Sequence, residues 1–68
     1  MIKEYREKCD YTQEEFAEKL KISVRHIQRI ENKESNPSIT LFKKIVELLD
    51  IRDEDIGKII RDEILYSE

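Results

Sequence analysis

Apolar residues recur along this chain at the three- and four-residue spacing of helices, and single polar residues break the pattern at short intervals. Ile2, Tyr5 and Cys9 stand at i, i+3 and i+7 among charged neighbours, which predicts a first helix over residues 1–9. Asp10 then ends it, because Asp tolerates the left-handed backbone of a C-terminal cap. Thr12-Gln13-Glu14-Glu15 has the spacing of a capping box, with the Thr12 hydroxyl accepting from the Glu15 amide and the Glu15 carboxylate reaching back to the Thr12 amide. A second helix is therefore predicted from Gln13 to Leu20, with Phe16, Ala17 and Leu20 on one face. Lys21-Ile22 is a short connection, and Ser23 is a good N-cap for a third helix over residues 24–32. After a loop that holds the only proline, Pro37, Ser38 caps a fourth helix that is apolar through most of its circumference. Residues 50–53 interrupt the pattern, and Asp53, Glu54 and Asp55 suit the positive end of a fifth helix reaching Tyr66. The expected fold is all-α, five helices around one core of Tyr5, Phe16, Ala17, Leu20, Ile22, Ile27, Ile30, Leu41, Ile45 and Leu48.

Composition narrows the function more than the fold. Sixty-eight residues suffice for one domain, expected over residues 1–68, and one Gly with one Pro is too few turn residues for a β-sandwich. Cys9 has no second cysteine to pair with, and His26 lacks the companions of a metal site, so neither disulfide, metal nor cofactor is expected. Nucleophile-base pairs, carboxylate dyads and phosphate loops are also missing, which argues against an enzyme. The first ten residues carry charges and no apolar run, and nothing approaches the ~20 apolar residues of a membrane span, so the expected location is the cytoplasm.

Net charge is -3, which taken alone speaks against nucleic acid. Its distribution reverses that argument. Residues 1–49 carry ten Lys/Arg against nine Asp/Glu, whereas residues 50–68 carry three against seven. Between Lys19 and Lys33 there are five basic residues and one acid, Glu31. At about 100° per residue, Arg25, Gln28, Arg29 and Asn32 fall within roughly 100° of one another, with Ile27 and Ile30 opposite. The wet face is two guanidiniums and two amides, side chains suited to base edges in a major groove. The plainer alternative is a solvated surface that happens to lack acids.

Residues 11–49, YTQEEFAEKLKISVRHIQRIENKESNPSITLFKKIVELL, resemble the Cro and lambda-repressor-like helix-turn-helix family, often called the Xre type. The shared pattern is the Thr-Gln-Glu-Glu-Phe-Ala helix start, the Ser-capped helix after it, Arg-Ile-Glu-Asn, and Asn-Pro-Ser before the next helix. The resemblance implies a compact five-helix DNA-binding domain whose helix-turn-helix spans residues 13–32, and a transcriptional regulator of bacterial or phage type, repressor-like, reading double-stranded DNA. By position it implies that Val24, Arg25, Gln28 and Arg29 face bases. It places Gln13, Ser23, Asn32, Lys33, Ser35, Asn36, Ser38 and Lys43 toward phosphates, with Gln13 also bracing the third helix. His26 falls to the side of that helix, nearer phosphate than base. The resemblance further implies a structural clamp between Arg6 and Glu31. Lys21, Lys33 and Asp10 occupy places where family members very often have glycine, so positive φ at the lysines would be strained by the order of 1 kcal/mol.

The fifth helix carries Ile56, Ile59, Ile60, Ile64 and Tyr66 over an arc of roughly 160°, wider than the ~100° one core contact needs. The excess predicts a homodimer through this helix, with two recognition helices set for a palindromic site. The competing function is a protein-interaction module that holds a partner with the same five helices, since folds do not fix functions.

Overall fold

The computed structural model describes residues 1–64. Five α-helices follow one another: α1 (Ile2–Lys8), α2 (Gln13–Leu20), α3 (Val24–Glu31), α4 (Ile39–Leu49) and α5 (Asp53–Ile59), with a π-helical turn over Ile60–Ile64. No strand occurs among the described residues.

Helix starts are set by side-chain oxygens. Thr12 accepts from the Glu15 amide at 3.0 Å while Glu15 Oε1 accepts from the Thr12 amide at 2.9 Å, completing the capping box. Tyr11, just outside this cap, stacks on Phe16 with ring centroids 6.5 Å apart, a hydrophobic staple that directs the chain into α2. Ser23 accepts from the His26 amide and Ser38 from the Leu41 amide, each at 3.1 Å. Each such cap contributes about 1 kcal/mol.

Helix ends follow one pattern without a glycine. α1, α2, α3 and α4 are followed by Asp10, Lys21, Lys33 and Asp50 at φ of 60°, 59°, 62° and 51°. After each, the next amide bonds five residues back, as Ile22 does to the Ala17 carbonyl at 3.0 Å and Ile51 to the Val46 carbonyl at 3.1 Å. These are Schellman turns, and left-handed backbone costs a residue with a Cβ about 1–2 kcal/mol. The positive φ at Lys21 and Lys33 is therefore real, and Asp50 adds a fourth case that the pattern of polar breaks did not disclose. Gly57, the only glycine, sits within α5 instead.

Phe16, Ala17, Leu20, Ile27, Ile30, Leu41 and Ile45 are buried, as expected, whereas Tyr5, Ile22 and Leu48 are half-buried at the core's edge. Ile2, Leu49, Ile51 and Ile59 complete the core. Ile51 lies in the interruption before α5: the Schellman turn at Asp50 reverses the chain and drives the next side chain inward. Tyr5 joins α1 to α5, its hydroxyl donating to the Asp55 carboxylate and accepting from the Arg52 amide at 3.4 Å. The hydrogen bond to Asp55 pushes the Tyr5 hydroxyl above its usual pKa.

The fifth helix departs most from its expected form. Regular α-helix ends at Ile59 rather than running on to Tyr66, which lies outside the described residues. A π turn brings residues five apart over one another, and Ile59 and Ile64 have that spacing. Ile59 is wholly buried and Ile64 packs, half-buried, against the core. Both were expected on a dimer face; the π turn gives them to the monomer's own core.

Candidate nucleic-acid interface

Three residues, Lys21 to Ser23, separate α2 from α3, so the Schellman turn that closes one helix leads directly into the cap that opens the next. α2 packs on α3 and on α4, with Ile27 and Ile30 pressed into the core. The opposite face of α3 is thereby held outward. Arg25, Gln28, Arg29 and Asn32 are all exposed on it, and Val24 is half-buried at its edge against the core. Ser23, Arg25, His26 and Arg29 line a shallow recess of about 270 Å³ at the start of the helix, with His26 half-buried among them.

The single acid of α3, Glu31, points the other way. Its side chain is 3% exposed and meets Arg6, 8% exposed, with Arg6 Nε donating to Oε2 at 2.6 Å and Nη2 to Oε1 at 3.3 Å. Arg6 Nη1 donates to the Tyr11 carbonyl at 2.7 Å, so one guanidinium ties α1 to α3 and to the approach to α2. The arrangement hides the only negative charge of α3 and leaves an outward face of guanidiniums and amides. A buried pair of this kind repays its desolvation only when further hydrogen bonds support it, and here the Tyr11 carbonyl and the Gln13 amide supply them.

Gln13 stands at the junction. Its Nε2 donates to Glu31 Oε1 at 3.0 Å, and its Oε1 accepts from Gln28 Nε2 at 3.3 Å. The expected brace on α3 is therefore visible in two bonds, which also occupy much of the amide that the phosphate expectation needs. Lys33 is exposed directly after α3, Ser35 is half-buried, Asn36 is exposed, and Ser38 is the cap of α4. Lys43 stands elsewhere, on the wall of an apolar groove of about 350 Å³ between α4 and α5, with Phe42, Val46, Glu47 and Ile56. Ile60, four residues after Ile56, is 37% exposed, and Ile39, one turn before Phe42, is 76% exposed.

Among the described residues no group of three or more His, Cys, Asp and Glu side chains could hold a metal ion, and no helix is long and apolar enough to cross a membrane.

A family model described as helix-turn-helix matches residues 2–56. No curated protein and no solved structure matches the chain. The matched span takes in α1 through α4 and the opening turn of α5, including the Arg6–Glu31 pair and the outward face of α3. With five helices in the lambda-repressor-like all-α arrangement and the matched model covering most of its length, the chain belongs to the Cro/C1-type, Xre-like helix-turn-helix family of DNA-binding regulators.

Proposed function

We infer that the chain is a sequence-specific binder of double-stranded DNA, one domain over residues 1–68 that lays α3 in the major groove and acts as a repressor-like regulator of transcription. The observation that carries this reading is the face of α3, whose exposed members are cations and amides because its one carboxylate is folded inward onto Arg6. Arg25 and Arg29 offer forked donors to guanine, Gln28 an amide to adenine, and Val24 an apolar contact such as a thymine methyl. Ser23, Asn32, Lys33, Ser35, Asn36 and Ser38 flank them as contacts to the sugar-phosphate backbone, and the recess with His26 admits a phosphate oxygen. The overall -3 does not oppose this, since the acidic excess lies in residues 50–68. Such a protein works in the cytoplasm, at the chromosome, and needs no metal or cofactor.

A palindromic site calls for two copies. Ile59 and Ile64 are committed to the core, and what remains of the expected dimer face is Ile56 and Ile60 together with Phe42 and Val46 of α4. Lys43 and Glu47 stand on the same wall four residues apart. A two-fold interface that set Lys43 of one copy against Glu47 of the other would repeat that pairing on the opposite side of the apolar floor. On this reading a second copy of the chain occupies the groove, with Lys43 at its edge; the phosphate contact expected of Lys43 is the alternative use of the same side chain.

Selection of bound sites from random duplexes tests the reading. The expected outcome is an enriched motif of two inverted half-sites about one helical turn apart, with affinity falling steeply as salt rises. Enrichment of no motif, with weak binding to every duplex alike, would leave the interaction-module reading in its place.

A further inference from the structure

The recess of about 270 Å³ at the start of α3 is lined by Ser23, Arg25, His26 and Arg29, and no carboxylate of the described residues lines it. Glu31, the acid of the same helix, is held by Arg6 inside the domain, and Glu34, beyond the helix, is exposed and outside the lining. Neither α2 nor α4 adds a lining residue; the charged groups at the end of α2, Glu18, Lys19 and Lys21, are exposed elsewhere. The Ser23 hydroxyl oxygen accepts from the His26 amide at 3.1 Å, which leaves its own proton to donate outward. Guanidiniums keep their charge and a hydroxyl has none. The half-buried imidazole of His26, the chain's only histidine, is therefore the one group in the recess of a kind that changes charge between about pH 5 and 8.

We propose that His26 holds a DNA phosphodiester in this recess in its protonated form, so that the domain binds a duplex together with a proton from solvent. A neutral imidazole has one N–H and one lone pair, and the lone pair gains nothing from a phosphate oxygen. The imidazolium has two N–H donors and a positive charge, and its bond to an anionic oxygen is charge-assisted, roughly twice as strong as a neutral one. A phosphodiester seated among the imidazolium and the two guanidiniums also sets an opposite charge between like ones. The duplex thus binds the imidazolium form more tightly than the imidazole form, and affinity falls as pH rises and the proton is lost. Phosphates are the same in every sequence, so this dependence on pH carries no base preference.

The inference rests on α3 meeting DNA, and affinity measured against pH and salt, on the selected site and on a scrambled duplex, separates the two claims. Wild-type affinity rises about tenfold from about pH 8 to about pH 6, by the same factor on both duplexes, and the slope of log affinity against log salt steepens by about one. His26→Gln removes the dependence on pH and keeps the affinity that the wild type has at the higher pH. His26→Arg removes it too and keeps the affinity of the lower pH. Both variants retain the Ser23 cap, whose donor is the backbone amide of residue 26. A His26→Gln protein with undiminished pH dependence overturns the proposal and places the titrating group elsewhere. Wild-type affinity that is flat over this range overturns it as well, and so does a pH effect confined to the selected site, which would make His26 a reader of bases. A wild type that binds no duplex at any pH refutes the DNA reading, and this role with it.

Discussion

The two ends of this small domain are held together by different forces. Around α1, α2 and α3 the geometry is specified by directional bonds: a capping box, an aromatic staple, and the chain Arg6–Glu31–Gln13–Gln28. Around α4 and α5, beyond the Ser38 cap and the Tyr5–Asp55 hydrogen bond, it is specified mainly by isoleucine and leucine packing, which has no preferred direction and accommodates a π turn with Ile64 against the core. A surface that reads base edges needs its donors held to a fraction of an ångström, which hydrogen bonds supply. A surface that needs only to be covered can be left to apolar contact. On the proposed function, the half with the buried ion pair is the half that would face DNA.

Loss of the buried ion pair should cost the domain most. Arg6→Met leaves the Glu31 carboxylate buried without its cation and should cost about 3–5 kcal/mol in urea unfolding, enough to unfold much of the population. Arg6→Met with Glu31→Leu should recover most of that stability and still select DNA less sharply, because Gln13 has lost its acceptor. A stable double variant with the wild-type motif would mean that the pair serves stability alone.

At the other end Val46→Lys should convert the proposed dimer to a monomer in sedimentation at tens of micromolar without unfolding the chain, since Val46 is only half-buried. Lys43→Glu should weaken the dimer and Glu47→Lys in the same chain should restore it. A monomeric wild type, with or without operator DNA, removes the second copy from the groove.

Glycine at Lys21 or Asp50 should stabilise by about 1 kcal/mol, because it relieves left-handed backbone at no cost in contacts. A fall in the urea midpoint would show that the lysine stem or the aspartate does something more there. The smallest effect concerns Tyr5. Its pKa is raised in the fold, so its contribution is complete below the ordinary tyrosine range and is lost as pH rises through the folded value. Tyr5→Phe should remove that alkaline loss of stability and speed amide exchange at the start of α5, with DNA binding unchanged.

Most of the first three helices was legible in the sequence because their boundaries are written in local chemistry. Thr12 three residues before Glu15, and Ser23 before Val24, are signals that need no tertiary context, and both helices begin where those signals place them. The outward face of α3 followed from periodicity, and the Arg6–Glu31 clamp from family resemblance. The Gln13–Gln28 bond was not visible, because the angle at which α2 crosses α3 decides which of several polar side chains meet. Ile51 and the π turn were missed for a related reason. An Asp before an isoleucine reads as an interruption until the reversal at Asp50 is known, and a five-residue spacing reads as part of an α-helical stripe until the core claims both ends of it.

Among the polar α3 residues proposed to read base edges, Arg25 stands nearest the end of the helix that enters the groove in this motif. Affinity of the wild type and of Arg25→Ala is measured on the selected site and on a scrambled duplex of the same composition, at one salt concentration. The predicted result is a loss of about 1–3 kcal/mol on the selected site, much less on the scrambled one, and relaxed preference at a single base position. Equal losses on both duplexes would make Arg25 a phosphate contact, and α3 would not read bases through it.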